Sequence, residues 1–403
     1  MATVVLVGTL DTKGHEYAYL RDRLREQRVD VLLVDAGVFE PQVAADVSRQ
    51  EVAAAAGTDV DALAAAGDRG AAVSAMAQGA AAVVKRLHGE GRLDGVAAVG
   101  GSGNSSIAAA AMRALPVGVP KLIVSTVASG DTRPYMGASD VTMTYSVVDI
   151  AGINQISAQI LTNAAGAIAG MVEAEAPPLA EQRPLVTASM FGVTTPCVTR
   201  ARERLEELGY EVLVFHQTGT GGESMEELMR AGFIAGSLDV TTTELCDELV
   251  GGVLPAYPGR LEAAGELGLP QVVSLGALDM VNFGPRESVP ERFEGRNLYV
   301  HNPTITLMRT TPDECRELGR RIGRKLSAAQ GPTALFVPLR GVSMIAVQGQ
   351  PFYDAEADGA LLAGLRETLG GNVEVHELDT DVNDEAFALA MADRLDEMIR
   401  NGR

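Results

Sequence analysis

Two runs of small, hydroxyl and charged residues in the first half of the chain carry the chemistry of anion binding. Gly8-Thr9-Leu10-Asp11-Thr12-Lys13-Gly14 follows the apolar run 4–7. Gly100-Gly101-Ser102-Gly103-Asn104-Ser105-Ser106 follows the apolar run 96–99. In each, a strand pattern breaks into glycine and hydroxyl residues and resumes as a helical pattern. At the edge of an open parallel sheet this exposes backbone N–H groups at a helix N-terminus, a site that attracts phosphate or carboxylate. Lys13 can neutralise phosphate charge, and Asp11 can hold Mg2+ through a water. The first turn has neither the P-loop spacing nor GxGxxG. A tight strand-to-helix turn with Asp11 or Thr12 as N-cap accounts for it equally well. Asp35, at the tip of the second strand, stands where dinucleotide-binding folds place a ribose-hydroxyl acceptor. A third hydroxyl-rich strand end, 125–131, supplies Thr126, Ser129, Gly130 and Asp131, with Arg133 behind it.

The second half offers a different set. Phe215-His216 runs into Gln217-Thr218-Gly219-Thr220-Gly221-Gly222, again strand, glycine loop and helix. His216 is a candidate acid/base, and a structural histidine fits the position as well. Asp279, Asn282, His301 and Arg340 fall at or just beyond strand ends, so a second polar pocket is expected. In it, His216, Asp279, His301 and Arg340 are the catalytic candidates, and Gly221, Gly222 and Asn282 the substrate contacts. No pair has zinc-ligand spacing, and no metal ligand is assigned from spacing.

These residues need elements to hold them. Apolar runs alternate with helical patterns at 4–7, 31–34, 96–99, 121–124 and 143–148, as βαβ units require. Helices are expected at 16–27, 71–87, 107–113 and 153–173, and 39–67 reads as a mobile stretch. Proline pairs and charges at 174–184 are linker chemistry. The chain is therefore divided into an N-terminal subdomain at 1–175, a linker at 176–184 and a C-terminal subdomain at 185–403. An offset of 181 aligns the first strand, helix and second strand with 185–215, so the two halves read as copies of one unit. The copy replaces Asp11-Thr12-Lys13-Gly14 with Gly192-Val193-Thr194-Thr195, which leaves polyphosphate binding to the first half. Later strands are expected at 235–240, 271–274, 297–300, 334–337 and 373–377, with helices at 312–326 and 385–399. The fold class is α/β: two Rossmann-like, doubly wound subdomains with mainly parallel sheets and a cleft between them.

Composition narrows the partners. The chain has 403 residues, a formal net charge of −20, 46% hydrophobic and 21% charged residues. The acidic balance repels nucleic acid and anionic membrane surfaces, while a local anion site remains compatible with it. Cys197, Cys246 and Cys315 form no CxxC pair, which suits reduced thiols. The apolar stretch 150–172 is broken by Asn154, Gln155, Gln159 and Asn163, so it reads as amphipathic helix and not a membrane span. With no leader pattern, a cytoplasmic protein is expected, and its apolar helix surfaces suit a homo-oligomer, most simply a dimer.

Several long motifs together resemble a known family. VGTLDTKG, DAGV, GGSGNSS, STVASGDTRPYMGASDVTMTYSVVDIAGIN, HQTGTGGESME, LDVTTTEL, SLGALDMVNFGP, HNPTITLMRTT, VPLRGVS and FYDAEAD are similar to the bacterial and fungal family of the tomato mosaic virus resistance protein. The resemblance runs the whole length. It implies paired Rossmann-like subdomains with ATP and Mg2+ in the first, at Gly8, Thr9, Asp11, Thr12, Lys13, Asp35, Gly100, Gly101, Ser102, Gly103, Asn104, Ser105 and 126–131. It also implies a barrel-type partner related to phosphoenolpyruvate hydrolases, which the plant member carries as an extra domain. Two functions follow. One is an ATP- and Mg2+-dependent enzyme acting on a small, carboxylated metabolite in the inter-domain cleft. The alternative is a nucleotide-responsive module that works with the barrel partner and turns nothing over itself. A dinucleotide dehydrogenase fits less well, because the glycine spacing is wrong for it.

Overall fold

The computed structural model describes residues 1–175 and 182–402. The chain divides into two compact units, Met1–Pro178 and Leu179–Arg403. Most of the expected linker, 176–181, lies outside the described residues, as does Arg403.

Unit 1 runs β1 (Thr3–Gly8), α1 (Leu10–Glu26), β2 (Asp30–Asp35), α2 (Arg49–Ala55), α3 (Val60–Ala66), α4 (Arg69–Gly89), β3 (Gly95–Gly100), α5 (Ser102–Arg113), β4 (Lys121–Ser125), α6 (Arg133–Met136), β5 (Thr142–Tyr145) and α7 (Gln155–Glu173). The strands form one parallel sheet in the order β2-β1-β3-β4-β5. Both faces are covered, so β1 is apolar throughout and its alternate side chains enter different cores. Val5 and Val7 join Met76, Val83 and Ile107 on one face, whereas Val4 and Leu6 join Leu20, Leu24 and Ile168 on the other.

The stretch 39–67, expected to be mobile, contains α2 and α3. Ser48 caps α2 in a reciprocal box with Glu51, and Asp59 caps α3. The alanines and aspartates that suggest mobility are helix formers and caps in this context. Helix α5 starts at Ser102, five residues before its expected start, so the glycine turn itself forms its N-terminus.

Unit 2 runs β6 (Leu185–Met190), α8 (Thr195–Glu207), β7 (Glu211–His216), α9 (Gly221–Arg230), β8 (Ile234–Thr241), α10 (Glu244–Val250), α11 (Ala263–Glu266), β9 (Gln271–Gly276), β10 (Met280–Phe283), β11 (Leu298–Asn302), β12 (Ile305–Arg309), α12 (Pro312–Ser327), β13 (Thr333–Pro338), α13 (Ala355–Thr368), β14 (Glu374–Leu378) and α14 (Glu385–Asn401). Six strands form a parallel sheet in the order β14-β13-β9-β8-β6-β7. A separate antiparallel sheet, β10-β12-β11, grows out of the segment after β9. Thr311 caps α12 in a box with Glu314, with proline at the start of the helix as its sequence suggests.

The two parallel sheets share a beginning. In each, the first strand pairs with the second on one side and the third on the other, and β2 shifted by 181 residues coincides with β7. The strand order therefore reverses between β1 and β3 in unit 1, and between β6 and β8 in unit 2. Open α/β sheets bind ligands at the carboxyl ends of strands at such reversals.

Candidate functional site

In unit 1 the reversal is held open by one buried phenol. Strands β1 and β3 pair only from Val4↔Gly95 to Leu6↔Ala97, and then separate. Tyr17 from α1 fills the gap. Its hydroxyl donates to Val7 O (2.6 Å) and accepts from Val99 N (2.9 Å) and from the Asn104 amide (2.9 Å). Burial pushes the Tyr17 pKa well above that of a free phenol, so the group stays a neutral donor and acceptor. Gly8 is required here, since a Cβ on it would sit 2.0 Å from the Tyr17 ring. Asn104 is equally committed: its amide also donates to Val99 O, and its Oδ1 accepts from Thr9 N.

Above this network lies a cavity of about 590 Å3, within the range of roughly 300–1,000 Å3 usual for small-molecule sites. Its polar wall brings together Thr9, Asp11, Thr12, Lys13, Gly101, Ser102, Gly103 and Asn104, all of them expected from sequence. Apolar side chains, Phe39, Leu63, Val73, Met76 and Ile107, make up another part of the lining. Phe39 is 61% exposed, a large apolar side chain left in water at the rim.

The two glycine turns of unit 1 differ in what their amides are free to do. In the first, Thr9 N is bonded to Asn104, Leu10 N to the Asp35 carboxylate, and Thr12 N and Lys13 N to Thr9 O. The N-cap is Thr9, not Asp11 or Thr12. The Asp11 carboxylate instead accepts from Val38 N and Phe39 N, which ties down the loop after β2. Lys13 donates its ammonium to Ile150 O. In the second turn no side chain caps α5, and Ser105 N is the amide that reaches back to Gly101 O. The amides of Ser102, Gly103 and Asn104 therefore point along the helix axis towards the cavity. The guanidinium of Arg69 lies over this turn, with Nη2 3.7 Å from where a Cβ on Gly103 would be.

Other expected residues lie outside the cavity wall, each for a physical reason. Asp35 is 1% exposed and its Oδ1 accepts from Leu10 N and Gly37 N, so it ties the start of α1 to the loop after β2, while its Oδ2 has no partner. Burial raises its pKa; the Gly37 and Leu10 amides oppose this, and the Asp11 charge adds to it. Gly8 is covered by Tyr17, and a Cβ on Gly100 would meet Asn104 at 2.5 Å. Ser105 is buried against Ser125. Thr126, Ser129, Gly130 and Asp131 are not among the lining residues, and Asp131 is ion-paired with Arg133.

Arg69, Phe39, Met76, Ile107 and Asp149 line the cavity without having been expected. Arg69 had a readable signal: a cation at the first position of α4 opposes the helix dipole and invites an anion as compensation.

Unit 2 closes the corresponding region. The buried guanidinium of Arg260 pairs with Asp239 (2.6 Å), Glu226 (3.2 Å) and Glu244 (3.2 Å), and donates to Gln217 and Thr241 O. Burial disfavours its charge, but the carboxylates of Asp239, Glu226 and Glu244 outweigh that and hold it protonated. The glycine loop before α9 is already occupied, since Gly219 N and Gly222 N donate to Glu244 Oε1. Gly221 and Gly222 are therefore packed inside the unit, and a Cβ on Gly222 would meet Glu244 and Arg260.

The remaining candidates of unit 2 are dispersed. His216 ends β7, edge-on to Phe191 at 5.4 Å. Asp279 is fully buried, accepts from Ser343 Oγ at 2.8 Å, and is pushed up to about 6 by burial against the opposing charge of Arg309. Asn282 donates to Asp247 from its backbone and side chain. Asp247 is itself raised to about 6 by burial. His301 lies on exposed β11, and Arg340 pairs with Asp379 in solvent. A cavity of about 600 Å3 includes Arg340 but none of His216, Asp279, Asn282 or His301.

Residues 2–177 match the N-terminal domain, and residues 183–399 the C-terminal domain, of the uncharacterised protein family UPF0261. The chain belongs to this family. A UPF0261 protein of Clostridium tetani is 53% identical over 98% of both chains. Another, from Mesorhizobium japonicum, is 45% identical over 98% of this chain and 99% of the relative. The tomato protein described as ToMV susceptible protein is 40% identical over 98% of this chain, which spans 55% of the tomato protein's length. Among solved structures, MurG of Acinetobacter baumannii is 12% identical with a TM-score of 0.22, covering 100% of this chain and 95% of that one. Among the described residues no helix is long and apolar enough to cross a membrane.

Proposed function

We propose that unit 1 binds ATP with Mg2+, its phosphates on the N-terminus of α5 and its base against apolar side chains of the lining such as Phe39 and Met76. The observation that carries this reading is the uncapped α5 N-terminus beneath the guanidinium of Arg69, at a cavity lined by both polar and apolar side chains. Charge supports a metal companion. Asp11, Asp68 and Asp149 line the cavity with Lys13 and Arg69, so a bare polyphosphate would meet more carboxylates than cations. Among the described residues no group of three or more His, Cys, Asp or Glu side chains could hold a metal. Mg2+ would thus arrive on the phosphates and add water-mediated contacts to a carboxylate such as Asp11, whose Oδ1 has no partner. The resemblance to the family of the tomato resistance protein points to the same ligand.

Two uses of the nucleotide are open to the protein. One is turnover of ATP on a small, carboxylated metabolite; the other is a nucleotide-held module that acts with a barrel-type protein partner. The dispersal of His216, Asp279, His301 and Arg340 favours the second, because acid/base chemistry needs such groups within hydrogen-bond reach of one reacting centre. The partner reading also draws on the tomato protein, of which this chain spans about half. The test is equilibrium dialysis against MgATP, followed by chromatography of the recovered nucleotide. ATP bound and returned intact supports the module, ADP or AMP makes the protein an enzyme, and no uptake removes the nucleotide site altogether.

A further inference from the structure

Unit 2 has a cavity of its own that nothing above uses. It measures about 600 Å3 and opens at the carboxyl ends of β9 and β13, with Leu275 and Pro338 in its wall. That is the edge at which open parallel sheets take ligands, and it is separate from the Arg260 cluster that closes the reversal point. The buried Val342 and Leu361 give the wall an apolar part, which it shares with polar side chains such as Gln348. Leu339 and Tyr353 also line it, yet are 45% and 47% exposed, so large apolar surface is left in water around the cavity.

Its charges are unequal. Arg340, the cation in the wall, is engaged by Asp379 through two nitrogens. Asp358 is matched from behind by the buried Arg309 at 2.6 Å. Asp381 accepts from Asn383 N and has no ion-pair partner among the described residues. What remains uncompensated is one carboxylate, in a cavity whose wall also holds an aromatic ring and apolar side chains. Those are the elements that recognise an organic ammonium group, by charge and by cation–π attraction.

We propose that this cavity is a binding site for an amphipathic amine, with its ammonium head at Asp381 and Tyr353 and its hydrocarbon body against Val342 and Leu361. The site stands independently of nucleotide binding in unit 1. The probes are cyclohexylmethylamine and cyclohexanecarboxylate, titrated into the full chain near neutral pH and followed by calorimetry and ligand-observed NMR. The amine is expected to bind once per chain, at least tenfold more tightly than the carboxylate. Asp381→Asn and Tyr353→Ala should each weaken it severalfold to tenfold with unchanged melting temperature, while Arg340→Ala leaves it as tight or tighter. Preference for the carboxylate, lost in Arg340→Ala, would overturn the assignment. So would saturable binding of neither probe, or amine binding that both Asp381→Asn and Tyr353→Ala leave intact.

Discussion

The turns at 100–103 and 217–222 have the same grammar, a parallel strand running into glycines and then a helix, yet they end in opposite states. After β3 the amides at the start of α5 face a cavity and an arginine without an ion-pair partner among the described residues. After β7 the amides of Gly219 and Gly222 are bonded to Glu244, whose other oxygen faces Arg260. Unit 2 supplies its own carboxylate where unit 1 leaves room for a foreign anion. Glycine thus marks where backbone can approach an anion; whether that anion belongs to the protein is decided by side chains far away in sequence.

The largest effect should come from opening the closed turn. Arg260→Met leaves three carboxylates buried without their cation and should cost unit 2 about 3–5 kcal/mol in denaturant unfolding. Nucleotide binding by unit 1 should be unaffected, and a loss of binding at matched folding would break the comparison.

Next is the pH response of the buried acids in unit 2. Asp279 has a folded pKa of about 6, above its unfolded value near ~3.9. Its protonated form is thus favoured in the folded state, and the stability it contributes is present below about pH 4 and lost as pH rises through about 6. Two pKa units correspond to about 3 kcal/mol. Asp279→Asn should flatten the decline between those pH values, and an unchanged profile would mean that Asp279 is ionised throughout.

In the open turn, Arg69→Ala should weaken MgATP by about 10- to 100-fold, the worth of a charge-assisted hydrogen bond of roughly 1.5–3 kcal/mol. Since Arg69 is exposed, its removal should leave the melting temperature alone. The smallest effect expected is from Tyr17→Phe, about 1–2 kcal/mol of unit 1 stability, because Val7 O, Val99 N and Asn104 each lose a partner. Accelerated amide exchange at Val99 would locate that loss at the strand reversal.

Much of this fold is legible in the residues, since both-face burial makes a strand such as 4–7 or 96–99 continuously apolar and glycine turns mark the strand ends. The polar wall of the unit 1 cavity is legible for the same reason. What escapes is long-range pairing. Strand β10 carries Asn282 among Met280, Val281 and Phe283, and that asparagine is tolerated in the core only because Asp247, 35 residues away, accepts its hydrogen bonds. Asp35 reads as a ribose acceptor from its place at a strand end, and the bonds of its Oδ1 to Leu10 N and Gly37 N come from residues that the pattern does not connect to it. Arg260 is one arginine in a loop, without meaning until Asp239, Glu226 and Glu244 surround it.

The contrast between an open and an occupied turn is tested most directly by calorimetric titration of MgATP into the intact protein and into Arg69→Ala. The account predicts one site per chain for the intact protein and at least tenfold weaker binding for the variant, with both melting alike. Absence of binding, or binding that Arg69→Ala leaves unchanged, would contradict it.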